Sequence, residues 1–143
     1  MLKKSSSRVF WLSILLWVPY MMWIWSTVIA LQKNIPEPDR INITLFKIAV
    51  IFPSVYCLFA IVYFFPSGNI SMPLHLAAML SLMYAMLVAA KTIKSVEMSA
   101  KATVSDYLGD FFLFLFYPIG IWVLHPRIQN ILRGRHLMNQ ITE

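Results

Sequence analysis

Four apolar runs divide this chain, and no other feature constrains its fold as tightly. They are Val9–Leu31, Ile43–Phe65, Met72–Ala90 and Phe111–Leu124, separated by short polar stretches. A helix crosses the hydrocarbon core of a bilayer with about 20 apolar residues, within a range of roughly 17–25. The first three runs meet that length directly. The fourth does so only by borrowing Tyr107, Leu108 and Gly109 or by continuing past His125, and a re-entrant or tilted segment is its alternative. A soluble fold would have to hide all four runs in one small core, which surface-to-volume scaling does not permit in 143 residues. Composition agrees, with 59% hydrophobic and 13% charged residues, against about 45–50% and about 25% in soluble domains. The expected fold is all-α: an oligomeric, integral membrane four-helix bundle forming one domain with short loops. Its spans fall near 9–31, 43–65, 72–93 and 108–125, and a basic amphipathic helix over 126–143 lies on the membrane surface.

The connections carry the usual punctuation. Lys33–Arg40 is polar and holds two prolines, and Pro66–Ser71 joins Pro and Gly in a tight link. In the longest polar stretch, Lys91–Asp110, the apolar residues Ile93, Val96, Ala100 and Val104 recur at helical spacing, which predicts an amphipathic extension of the third helix. Lys3, Lys4 and Arg8 before the first run resemble the basic start of a signal peptide. That run exceeds the ~7–15 residues of a secretory core and is expected to stay attached as an anchor.

The net charge of +6 and pI near 9.7 fit helix-end residues that set topology and touch anionic lipid, and give no direct support for nucleic acid. With four spans, six Lys and Arg fall on the side of the termini and six on the other. The purely basic flank before Val9 breaks that tie, since acids dilute the second flank. Both termini are therefore expected in the cytoplasm of a multi-pass protein. Cys57 is the single cysteine, so no intramolecular disulfide forms.

Several features are candidates for function. Ala77, Ser81, Ala85 and Ala89 recur every four residues and define a small-residue seam, facing either a neighbouring helix of the same subunit or a second subunit. Pro19, Pro53 and Pro118 lie within apolar runs, and Pro118 with Gly120 marks a break that fits a gate or hinge as well as plain packing. Asp106 and Asp110 lie one helical turn apart. In an oligomer they would ring a pore mouth and favour cations, and in a monomer they are a solvated helix start. Arg127, Arg133 and Arg135 offer contacts for an anionic ligand or lipid head groups. Lys47 is expected to snorkel to the interface. His75 and His125 have no companions at ligand spacing, so no metal or other cofactor is expected. The tryptophans of the first run suit an aromatic belt only in part, and Met79, Met83 and Met86 read as adaptable packing. No nucleophile elbow, zinc-protease, phosphate-loop or dinucleotide motif is present, and no enzyme activity is expected.

The stretch from Asp110 to Asn130, with the core Pro118-Ile-Gly-Ile-Trp122 and the exit Pro126-Arg-Ile128, resembles the end of many small multi-spanning proteins of the bacterial inner membrane. Gln129 departs from the Asn of that pattern. Some of these proteins resemble membrane components of phage-defence or abortive-infection operons. The resemblance, which covers roughly the last third of the chain, implies a cytosolic sensor partner and a membrane protein that permeabilises the cell. Two function classes follow: a homo-oligomeric, channel-like pore, or a non-conducting accessory subunit of a larger membrane complex.

Overall fold

The computed structural model describes residues 2–35, 37, 40–60 and 72–142, with side chains at 12 and over 15–134 within them. Among the described residues there are five helices and no strand: α1 (Leu2–Gln32), α2 (Ile43–Phe59), α3 (Met72–Met98), α4 (Val104–Leu115) and α5 (Tyr117–Thr142). Two are long and apolar enough to cross a membrane, α1 through Leu15–Gln32 and α3, while α2 is a shorter apolar helix of 17 residues. The expected end of the second span at Phe65 and the connection Pro66–Ser71 lie outside the described residues.

The chain divides into two compact units, the first formed by Met1–Trp25 and Ile43–Ala85. Here the Ser81 hydroxyl on α3 donates to the Ala49 carbonyl on α2 at 3.2 Å, and the Tyr56 hydroxyl meets Nδ1 of His75 at 3.1 Å. Moving forward along α2 therefore moves backward along α3, so the two helices run antiparallel. Small side chains at Ala49, Ala78 and Ala85, all buried, leave room for the two backbones to approach. Phe46 is fully buried and packs against Trp25 at 6.1 Å between ring centroids. The Lys47 ammonium lies 5.9 Å from the centroid of the same indole, a cation–π placement that holds the charge at the helix start.

The second unit comprises Ser26–Asn42 and Met86–Glu143. Leu31, Ile93, Phe114 and Leu124 are fully enclosed in it. Thr92, also buried, donates its hydroxyl to the Val88 carbonyl at 2.8 Å, so an interior polar group is satisfied within its own helix. The amphipathic extension expected through Val104 forms only as far as Met98. α3 stops at Met98, where Ser99 takes a left-handed conformation (φ 50°). The Ala100 N–H returns to the Ser95 carbonyl and the Ser99 N–H to the Val96 carbonyl. This pair of bonds is the Schellman termination, made here by serine in place of the usual glycine. Ile93 and Val96 are buried as the spacing predicts, but Ala100 and Val104 are exposed because the helix has ended before them.

α4 restarts on Thr103, whose N–H and hydroxyl both donate to one oxygen of Asp106, at 2.8 and 2.5 Å. That contact is the reach-back half of a capping box. The fourth span, expected as one crossing over 108–125, is instead two helices separated by the single residue Phe116 (φ −92°, ψ 60°). Pro118 falls in the first turn of α5, where a missing N–H costs nothing. The basic segment from Pro126 is likewise no separate helix, since α5 runs unbroken to Thr142.

Candidate functional site

The chain reverses direction at Phe116. Along one straight helix, positions 110 and 127 would lie about 26 Å apart at ~1.5 Å per residue. Instead the Arg127 guanidinium on α5 donates to both oxygens of Asp110 on α4, at 2.6 and 3.2 Å. α4 and α5 thus form a helical hairpin. Gly120 explains how tightly it closes. A Cβ there would run into the backbone carbonyl of Leu113, so only glycine admits this approach of the two arms. Both backbone groups of Phe116 are satisfied: its N–H bonds the Phe112 carbonyl, and its carbonyl accepts from Ile119 and Gly120.

At the base of the hairpin stands the main concentration of charge in the second unit. Arg127 also donates through Nε and Nη2 to the two carboxylate oxygens of Glu97, at the end of α3. Lys94 approaches the same carboxylate at 3.6 Å. One guanidinium therefore joins three helices through two carboxylates, with a fork that matches carboxylate geometry on both sides. Asp110 is 8% exposed as a side chain, Glu97 21% and Arg127 29%, so the cluster is largely shielded from solvent. Its formal charges cancel: two acids, one arginine and one lysine. The bonds to Glu97 raise the Arg127 pKa above its already high value against the opposing cost of burial, and Asp110 adds to the rise. Arg127 is a permanent cation.

This geometry reassigns several residues. Asp106 and Asp110 present no joint acidic mouth, because one carboxylate caps α4 and the other is buried against Arg127. The Thr103 bonds hold the Asp106 carboxyl below its ordinary pKa. Arg127 is no free anion contact, since Glu97 and Asp110 occupy it. Arg133 is exposed, and the Arg135 side chain lies outside the described residues. Of the small-residue seam, Ser81 touches α2 within the first unit, Ala85 and Ala89 are fully buried, and Ala77 is exposed. Pro118 and Gly120 both follow the turn, at the start of α5. Among the described residues no three His, Cys, Asp or Glu stand close enough to hold a metal.

Glu97 and Lys94 entered the sequence reading only as charges to be counted. A sharper signal was present. Glu97 and Asp110 border apolar segments, where an unpaired charge is costly, and Arg127 is the first base after the last run. No protein-family model, curated protein or solved structure matches the chain.

Proposed function

We propose that this chain is an integral membrane protein and serves as a non-enzymatic, non-conducting subunit that docks onto other membrane proteins through its apolar helix faces. One observation carries the reading. Glu97, Asp110, Lys94 and Arg127 of the second unit neutralise one another, while Leu15, Leu16 and Met22 on α1, Ile48 and Val55 on α2, and Leu76, Met79 and Leu80 on α3 are all exposed. Exposed apolar surface on this scale marks contact with lipid or with a partner. A conducting homo-oligomer, the first reading of the sequence, relied on Asp106 with Asp110 at a pore mouth and on Arg127, Arg133 and Arg135 in a cytoplasmic ring. Asp106, Asp110 and Arg127 have internal partners here, which moves the proposal to the accessory role. The resemblance of the Pro118–Ile128 stretch supports a bacterial inner membrane as the setting, with membrane components of phage-defence systems as one context for such a subunit.

The test combines extraction with conductance. The protein is expected to stay in membranes washed with alkaline carbonate. Purified and reconstituted in liposomes, it is expected to pass no ions above the leak of empty vesicles. Crosslinking in native membranes should give an adduct with a different protein. A homo-oligomeric ladder together with ion flux restores the pore, and release by carbonate refutes the membrane reading altogether.

A further inference from the structure

We infer that the α4–α5 hairpin is re-entrant, dipping into the bilayer and returning to the same face, so that the N-terminus lies opposite the basic end of the second unit, which rests on the cytoplasmic leaflet. The inference builds on the membrane reading above and adds a topology to it. Length comes first. α4 has 12 residues, about 18 Å of helix, against a hydrocarbon core of about 30 Å. α4 cannot cross, and its chain turns back at Phe116. Chemistry agrees with length. Between Asp110 and Arg127 the sequence holds no charged side chain but one histidine. The tip exposes Leu115, Phe116, Ile119 and, at 84%, Trp122. A turn in lipid is costly wherever a backbone group lacks a partner, and both backbone groups of Phe116 have one. Below the tip the surface changes to charge, with the Glu97–Arg127–Asp110 cluster at the base and Lys101 and Arg133 exposed.

Parity then fixes the sides. The apolar runs Val9–Leu31, Ile43–Phe65 and Met72–Ala90 are each long enough in sequence to cross; with the hairpin re-entrant, an odd number of crossings separates the termini. The count of basic residues no longer ties. Of 12 Lys and Arg, only Lys3, Lys4 and Arg8 precede α1's apolar run, and residues 60–71 between α2 and α3 contain none. The other nine (12 less 3) belong to Lys33–Lys47, Lys91–Lys101 and Arg127–Arg135. The loop after α1, the end of α3 and the hairpin belong to one compact unit, which agrees with a single face for these segments. Lys and Arg favour the cytoplasmic side, where they also meet anionic head groups. Nine against three places that face in the cytoplasm and the N-terminus outside.

Single cysteines in a Cys57→Ser background test this, with a membrane-impermeant maleimide applied to intact and to permeabilised cells. Ser5→Cys should label in intact cells. Glu37→Cys and Asn130→Cys should label only after permeabilisation, and Ile119→Cys only in detergent. Labelling of Ser5→Cys and Asn130→Cys from one side overturns the re-entrant hairpin. Protection of Ser5→Cys with open labelling of the other two overturns the leaflet assignment. Carbonate extraction of the same variants separates either failure from a failure of the membrane reading. Reporter domains inserted after Glu37 and fused after Glu143 provide a second readout, and should report the same side.

Discussion

Replacing Arg127 with methionine removes the guanidinium but keeps a long apolar stem in the same space. It leaves the carboxylates of Glu97 and Asp110 facing each other with Lys94 alone to offset them, at 3.6 Å from Glu97. Breaking a buried ion pair by deleting one partner costs roughly 3–5 kcal/mol. Here the guanidinium is 29% exposed and Glu97 21%, while Asp110 is 8% exposed. Scaling for that residual solvation leaves about 2–3 kcal/mol, a factor of roughly 30–150 in the folding equilibrium. Unfolding in mixed micelles titrated with dodecyl sulfate, followed by helical circular dichroism, reads this directly. The control is Arg127→Met combined with Glu97→Gln and Asp110→Asn. With no charge left uncompensated, it should recover most of the loss, since an ion cluster replaced as a whole is often neutral. A single variant within about 0.5 kcal/mol of the wild type, the usual range for a surface change, would show that the cluster does not hold the hairpin closed. An unrecovered triple variant would assign the loss to packing.

The close approach at the turn predicts that Gly120→Ala destabilises by about 1–3 kcal/mol through overpacking against the Leu113 carbonyl. Gly134→Ala, with nothing within 4 Å of an added Cβ, should be neutral or stabilising by up to about 1 kcal/mol in the same titration. At the α2–α3 contact, Ser81→Leu should cost about 1–3 kcal/mol, and Ala77→Leu, at an exposed position, should be tolerated. Ser99→Gly should raise stability, because glycine adopts the positive φ of 50° without a Cβ penalty. The lowered pKa of Asp106 means that its cap is fully present above the ordinary carboxyl range. It is lost as pH falls below that range, near 4, and through the depressed folded value. Helical signal in wild type should therefore fall more steeply over that acid window than in Asp106→Asn.

Much of the architecture was written in hydrophobic periodicity. The runs that became α1, α2 and α3 are legible because length and apolarity alone select a helix there. The ends were harder. Nothing in Ala100 or Val104 announces that α3 stops at Met98, since the termination uses Ser99 in a conformation for which sequence reasoning looks to glycine. The break at Pro118 and Gly120 was visible, but a kinked crossing and a hairpin share that signature. What decides between them is the bond from Arg127 to Asp110 across the turn, a contact between residues too far apart for any local pattern to reveal. The same blindness to long-range pairing gave Asp110 to a pore mouth or a solvated helix start and Arg127 to an anionic ligand or lipid, because each was read on its own helix face and not against the other. Asp106 was legible as a helix-start acid, the plain alternative to the pore mouth, because capping is decided within three residues.

The hairpin in a bilayer is tested most directly by one distance. Gly109 and His125 are exposed and lie on opposite arms, 16 residues apart, which is about 24 Å along a continuous helix. Spin labels on Gly109→Cys and His125→Cys, with Cys57→Ser and reconstituted in lipid vesicles, report their separation by dipolar broadening. Packed helix axes lie about 8–10 Å apart, so the folded-back arms predict strong broadening from labels within about 15 Å. Narrow lines and a separation near 24 Å would mean that the segment crosses the membrane as one helix, and the hairpin with its re-entrant topology would be wrong.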